Sequence, residues 1–296
     1  MLDEVVHWLQ PRAGMVLVDG TLGGGGHTRA LAERVGPMGQ VVALDQDPAA
    51  VDAATTSLAG LPVRVAHANF SELPEVLREL EITAVDGVLL DLGLSSDQLA
   101  DQQRGFSFDA SGPLDLRFNP TIGEPAWRLV NRLRAEQLAD LIYQYGEERF
   151  SRRIARAIVE RRQQQPIQTA AELAAVVRRA MPRSARERID PATRTFQALR
   201  IAVNEELRSL ELALERIPEC LRPGGRLAVI SFHSLEDRRV KEAFRNDPRY
   251  EALTKKPLRP SPAEMDANPR SRSAKLRVAA KRSPESSPQN HGGWKR

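Results

Sequence analysis

The stretch Asp19-Gly20-Thr21-Leu22-Gly23-Gly24-Gly25-Gly26-His27-Thr28 sets an acid against a run of glycines, directly after the apolar residues Met15 to Val18. Glycines between a strand and a helix let the backbone approach a ligand closely. A second apolar run, Val41 to Leu44, ends in Asp45, where open α/β sheets that bind nucleosides place an acid on the ribose hydroxyls. Together these features predict a nucleoside-containing cofactor. A triphosphate-binding loop would need Lys and then Ser or Thr after its second glycine, and here Gly26-His27 follows Gly25. A dinucleotide fits the strand, the glycines, the helix and the distal acid. Asp19, however, would face a pyrophosphate with like charge, whereas the sulfonium and ammonium of S-adenosylmethionine suit a carboxylate. The acid therefore favours S-adenosylmethionine, with a ligand-free glycine turn as the remaining reading.

The elements that must hold this loop follow the pattern of a doubly wound, mostly parallel α/β sheet. Strand-like runs end in Asp19 and Asp45 and recur at Val63 to Ala66, Val85 to Leu90 and Arg226 to Phe232, with helical patterns between most of them and the first helix expected from Arg29. The alternation stops after Gly93 and resumes only at Leu221. That gap is too long for one crossover and predicts an inserted helical subdomain. Within it Phe150, Ile154 and Ile158 make a core stripe, and Thr169-Ala170-Ala171-Glu172 has capping-box spacing for a helix ending before Pro182. One long helix is expected from about Phe196 to Pro218, burying Leu199, Val203, Leu207, Leu210 and Leu214, with Gln197, Arg200, Asn204 and Arg208 on a polar face. A helix from Leu235 to Arg245, a surface loop from Asn246 to Ser273 and an antiparallel edge strand from Ala274 to Ala279 complete the sheet region. The division expected is 1–103 and 195–282 for the cofactor-binding domain, 104–194 for the insertion and 283–296 for a disordered tail.

The chain has 296 residues, 41% of them hydrophobic and 28% charged, which suffices for a sizeable core of one elaborated domain or two. No apolar run approaches a membrane span and Met1-Leu2-Asp3-Glu4 does not open a signal peptide, so a cytoplasmic location is expected. The single cysteine, Cys220, has no partner for a disulfide or a zinc site and is expected to pack as a small apolar residue; no metal is expected. Net charge is only +4, yet Arg149 to Arg188 holds eleven arginines against Glu160, Glu172 and Glu187. Arginine forks read phosphate, so this excess points to nucleic acid, with a solvated helix face as the bland alternative.

These pieces closely resemble the bacterial small-subunit (16S) ribosomal RNA cytosine-N4 methyltransferase family. The resemblance rests on Asp19-Gly20-Thr21 with Gly25-Gly26-His27, on Asp91-Leu92-Gly93-Leu94-Ser95-Ser96 with Gln98, and on Arg104-Gly105-Phe106-Ser107-Phe108. It continues through Gly112-Pro113-Leu114-Asp115-Leu116-Arg117, Tyr145-Gly146-Glu147-Glu148, Arg194-Thr195-Phe196-Gln197-Ala198-Leu199-Arg200 and Ser231-Phe232-His233-Ser234-Leu235-Glu236-Asp237. The family usually has a His-x-Pro-Val segment ahead of the part matching Leu2 to Val6, which is absent here. Many other amino methyltransferases carry a Pro-Pro-aromatic motif where this chain has Asp91-Leu92-Gly93-Leu94.

The resemblance implies a class I S-adenosylmethionine-dependent methyltransferase acting on the exocyclic N4 of a cytidine in the decoding region, on an assembled or nearly assembled small subunit. It implies cofactor contacts from Gly25, Gly26, His27, Asp45, Phe70, Asp91 and Gln98. Phe70 would pack on the adenine and Asp91 would hold the methionine ammonium. Candidates for holding the base are Asp115, Asn204, Ser231 and His233, with Arg117 and Arg200 for phosphate. Two rival readings are methylation of another acceptor, such as a DNA base or a protein, and a non-catalytic RNA-binding assembly factor. A homo-oligomer is left open.

Overall fold

The computed structural model describes residues 1–182 and 190–283. Helix α1 (Leu2–Leu9) leads into strand β1 (Val16–Asp19), helix α2 (Gly26–Val35), strand β2 (Gln40–Asp45), helix α3 (Pro48–Ser57), strand β3 (Val63–His67), helix α4 (Leu73–Glu79) and strand β4 (Val85–Asp91). A helical stretch follows with α5 (Ser96–Ala100), α6 (Ala126–Arg132), α7 (Ala135–Gly146), α8 (Ser151–Gln164), α9 (Ala170–Ala180), α10 (Thr193–Asn204) and α11 (Glu206–Cys220). Strand β5 (Leu221–Ser231), helix α12 (Ser234–Asn246), strand β6 (Tyr250–Ala252), helix α13 (Pro262–Ala267) and strand β7 (Lys275–Lys281) close the fold.

The strands form one sheet in the order β3-β2-β1-β4-β5-β7-β6. Strands β1 to β5 pair in parallel, and β7 runs antiparallel between β5 and β6. The central strands are buried on both faces, which is why their sequences are continuously apolar rather than alternating. One face packs Leu210, Leu214 and Ile217 of α11 and Phe244 of α12, and the other packs Val5 and Leu9 of α1 and Leu31 and Val35 of α2. The strand order reverses between β1 and β4, and the carboxyl ends of these strands form the crevice where such sheets bind ligands. The doubly wound α/β architecture expected from the sequence is the one observed.

The helical stretch has its own core, in which Leu138 and Ile142 of α7 meet Ile154 and Ile158 of α8 and Leu173 and Val177 of α9. Ala192, Phe196 and Leu199, on or next to α10, belong to the same cluster. The capping box is present at Thr169, whose hydroxyl accepts from the Glu172 N–H while Glu172 accepts from the Thr169 N–H.

Three local expectations change. Helix α2 starts at Gly26, three residues before Arg29, because Gly25 adopts a left-handed conformation (φ 76°) that caps it. The stretch from Asn246 to Ser273 is not only loop: it contains β6, which covers β7, so β7 is an inner strand and not the edge. The single long helix is two. Glu205, with φ 48° and ψ 35°, breaks it at a cost of about 1 kcal/mol for a residue with a Cβ. Asn204 accounts for the break. Its Nδ2 donates to the carbonyls of Leu116 (2.7 Å) and Arg200 (2.9 Å), and its Oδ1 accepts from the Phe118 N–H (2.7 Å). These bonds fix α10 against the segment 116–118, and α11 begins anew at Glu206. The tail expected to be disordered lies, from 284 onward, outside the described residues.

Candidate functional site

A cavity of about 350 Å³ opens at the carboxyl ends of β1, β2 and β4. Its floor is the glycine loop. Gly20 donates its N–H to the Leu89 carbonyl at 2.9 Å, and an added Cβ there would lie 2.6 Å from the Leu90 side chain and 3.1 Å from the Cβ of Phe70. Only glycine lets β1, β4 and the Asn69-Phe70 turn meet at this point. Asn69 caps that turn by accepting from the Ser71 N–H, and its Nδ2 donates to Gln46 across the cavity edge.

Three aspartates surround the loop with different duties. Asp19 is fully buried and accepts from the Thr28 hydroxyl at 2.7 Å and from the Thr21 N–H at 3.1 Å. Burial raises its pKa, against the opposing pull of His27, Thr28 and Thr21. Asp19 therefore binds the start of α2 to β1 and does not line the cavity, so the cation contact inferred from its position belongs elsewhere. Asp45 lines the cavity, with Oδ2 accepting from the Gly23 N–H (2.8 Å) and Oδ1 from the Asp47 N–H (2.9 Å). Burial pushes its carboxyl up, while those two N–H groups pull it down. Each oxygen keeps a lone pair for a hydroxyl. Asp91, at the end of β4, presents Oδ2 to His27 Nε2 at 3.4 Å, and its Oδ1 is buried with no hydrogen-bond partner. An orphaned carboxylate oxygen beside a cavity is a site for a cationic group.

The cavity is also lined by Phe118, Asn204, Glu206, Phe232 and Glu236. Arg200 donates from Nε to Oε1 of Glu206 (2.8 Å) and from an Nη to Oε2 (2.9 Å), a bidentate pair buried at the α10–α11 break. Burial raises the Glu206 pKa and Arg200 opposes it. Glu236 closes the start of α12, accepting on Oε2 from the N–H groups of Phe232 (2.8 Å) and His233 (3.3 Å), with His233 Nε2 lying 3.0 Å from Oε1. Burial alone would raise its pKa, but His233, Arg200 and the Phe232 N–H outweigh it and leave the carboxyl below its usual range.

A hydrogen-bond chain runs from Asp47 to Asn204. Asp47, two residues after Asp45, accepts from Gln98 Nε2 (2.9 Å) and from Arg104 (3.1 Å). Arg104 also donates to the carbonyls of Arg117 and Phe118 (both 2.8 Å), and Phe118 is held in turn by Asn204.

The profile of the MraW methylase family matches residues 1–282. The chain belongs to the MraW methylase family. It is 51% identical to the ribosomal RNA small subunit methyltransferase H of Thermomicrobium roseum over 299 residues, covering 94% of this chain and 91% of that protein. The protein of the same description from Rhodopirellula baltica is also 51% identical, over 290 residues, covering 94% and 89%. Among solved structures, the rRNA methylase of Streptococcus thermophilus aligns over 95% of this chain and 94% of its own at 13% identity, with a TM-score of 0.45.

In this MraW methylase the residues expected at the cofactor separate into two groups. Gly26, His27, Asp45, Phe70, Asp91 and Gln98 line the cavity, while Gly25 does not: its Cα faces Leu58 and Leu22, and it serves as the cap of α2. Gln98 is committed to Ser95 and Asp47 and acts by fixing the loop around them. Of the candidates for the base, only Asn204 lines the cavity. Asp115 forms a bidentate pair with Arg117 (both 2.7 Å), Ser231 is buried with its hydroxyl toward the Lys275 carbonyl, and His233 stands behind Glu236. Arg117 and Arg200, expected on phosphate, are both taken by these internal pairs. Sequence reasoning missed Glu206, Glu236, Phe118 and Gln46 as cavity residues. Glu236 lies within the Ser231 to Asp237 motif and Glu206 stands two residues after Asn204, but nothing in the helical periodicity announced the break that turns Glu206 inward.

Among the described residues no helix is long and apolar enough to cross a membrane, and no group of three or more His, Cys, Asp and Glu is placed to hold a metal ion. Cys220, the last residue of α11, is buried, and burial pushes its thiol up to about 11.

Proposed function

We infer that this protein transfers a methyl group from S-adenosylmethionine to the exocyclic N4 of a cytidine in the decoding region of small-subunit ribosomal RNA. The observation that carries the reading is the cavity at the switch point of the sheet in a chain of the MraW methylase family, with a ribose-side acid at Asp45 and a free carboxylate oxygen at Asp91. The residues present fit the cofactor. Asp45 is placed for the ribose hydroxyls, Phe70 for the adenine face, and Asp91 for the ammonium, while the N–H-rich loop around Gly23 and Gly24 admits a close-lying ligand. When bound, the cofactor supplies an electrophilic methyl group on a sulfonium.

The chain's own work is alignment. The cytosine amino nitrogen is a weak nucleophile because its lone pair is delocalised into the ring, so the cavity must hold it in line with the methyl carbon, an effect worth up to about 7 to 11 kcal/mol. Phe118 and Phe232 offer flat apolar walls for a base drawn out of its stack, and Asn204 fixes Phe118 in place. The helical unit is the RNA-binding part. On α8 the exposed Arg152, Arg153 and Arg156 have no hydrogen bond or ion pair from their side chains to any described residue, which leaves them for phosphate. We place the division of the chain at Asn204, with α10 in the helical unit, since Phe196 and Leu199 pack in that unit's core. The proposed setting is the cytoplasm and the proposed substrate an assembled or nearly assembled particle.

The test is incubation with methyl-labelled S-adenosylmethionine and small subunits from cells lacking the endogenous activity, followed by digestion to nucleosides. Label in N4-methylcytidine is expected. Label in another nucleoside would redirect the reading to a different acceptor, and cofactor binding without transfer to RNA would favour an assembly factor.

A further inference from the structure

We propose that Glu206 is a catalytic residue of this transfer: its carboxylate accepts a hydrogen bond from the acceptor amine and takes the proton that methylation releases. The proposal rests on the methyl transfer inferred above.

Beside Asn204 and Phe118 the cavity is lined by two glutamates, Glu206 and Glu236, whereas Glu264, also on its wall, is paired with the Met1 amino group. The first two differ in what their oxygens have left to give. Glu236 spends Oε2 on two backbone N–H groups and has the His233 ring against Oε1, so starting α12 leaves it one acceptor position against the two of Glu206. Glu206 receives one N–H of Arg200 on each oxygen, and an ionised carboxylate has room for about four donors, so a second donor fits on each oxygen. The fork of Arg200 also fixes the plane of the carboxylate, which a lone flexible glutamate would not keep. The left-handed Glu205 is what allows consecutive helices to present Asn204 and Glu206 to one cavity; Asn204 has spent both amide hydrogens and one lone pair on Leu116, Arg200 and Phe118, and its neutral amide oxygen can accept a hydrogen bond but cannot take a proton. Glu206 is the carboxylate there with most room both to accept the amine and to take its proton.

The balance of the step is simple. The nitrogen lone pair forms the new N–C bond as the S–CH3 bond breaks with its electron pair going to sulfur. One N–H proton passes to Glu206, leaving a neutral methylamino base, a neutral thioether and a protonated carboxyl. The charged and titratable groups around Glu206 are Arg200 on α10 and His233 and Glu236 at the start of α12, and burial holds the Glu206 carboxyl above its ordinary range.

The experiment compares the full-length protein with Glu206→Gln and Glu206→Asp in single-turnover methylation of small subunits across pH, with calorimetric cofactor binding as the control for folding. Glu206→Gln is expected to lose about 10²-fold in rate with cofactor affinity unchanged, and to lose the acid limb of the pH profile, while Glu206→Asp recovers part of the rate and keeps that limb. A Gln variant that keeps the native rate and the native acid limb overturns the proposal. Should Glu206→Gln fail to bind cofactor because Arg200 is left buried without its counter-charge, Arg200→Gln with Glu206→Gln removes both charges. The same loss of rate is expected there, and a native rate overturns the proposal. Native protein that places no label on N4 of cytidine instead sinks the underlying reading, independently of Glu206.

Discussion

In the proposed cofactor site, His27 stands against Asp91, where cofactor binding and protonation would compete. Burial disfavours its charged form, but the hydrogen bond and negative charge of Asp91, with Asp19 behind, outweigh burial and raise its pKa above the ordinary 6.5. A group whose folded pKa is raised stabilises the fold fully below its unfolded value and loses that contribution as pH climbs through the folded one. In the protein without cofactor, therefore, the His27–Asp91 contact is strongest in mild acid. An ammonium arriving at Asp91 must share the carboxylate with the imidazolium or displace its proton. We expect the affinity for S-adenosylmethionine to fall as pH drops below the raised pKa of His27, by up to about tenfold per unit, and to level off above it. Calorimetric titration over about pH 6 to 9 in two buffers of different ionisation enthalpy should show proton release on binding, and His27→Gln should abolish both the release and the slope. A native affinity that is flat across this range would separate His27 from the cofactor site.

The elements around the site meet at contacts that tolerate no extra atoms. Helices α7 and α10 cross at Gly146, where an added Cβ would lie 2.5 Å from the Arg194 carbonyl and 3.4 Å from Ala198. Gly146→Ala must push the helices apart, and a cost of about 2 kcal/mol is expected as a lower denaturation midpoint at an unchanged slope. Glu205, at the other end of α10, should respond with the opposite sign: glycine accepts its left-handed backbone without the Cβ clash, so Glu205→Gly is expected to raise stability by about 0.5 kcal/mol. Both positions mark where sequence stopped being legible. The parallel strands were readable because burial on both faces makes them continuously apolar, and the Thr169 capping box because its partners are three residues apart. The break at Glu205 was not, since the bonds that cause it come from Leu116 and Phe118, distant in sequence from Asn204. The same limit applied at the site. Asp45 and Asp91 end strands and so fall at the cavity by topology, whereas Asp115 and Arg117 look equally available in sequence until their mutual fork is seen. Strand β6 was hidden by its three-residue length in a segment rich in proline and charge.

On the scale of the whole molecule, charge is distributed so that the arginines divide into those that hold the protein together and those left for a partner. Arg104, Arg117, Arg200 and Arg277 are spent on internal carboxylates. Arg152, Arg153 and Arg156 project from α8 with their side chains unpaired among the described residues, while Ile154 and Ile158 anchor the opposite face of that helix in the core. Phosphate contacts made by such side chains release condensed counterions, so each should add to the salt dependence of binding without choosing the base. Replacing all three with alanine is expected to weaken binding to small subunits and to lower the magnitude of the slope of log affinity against log salt by about two to three units. Because the substituted residues are exposed and lie outside the cavity, cofactor affinity should stay native, and the rate at saturating subunit concentration should change far less than the KM. Equal salt slopes for native and triple variant, measured by filter binding over a salt series, would move the phosphate-binding face off α8 and onto another part of the surface.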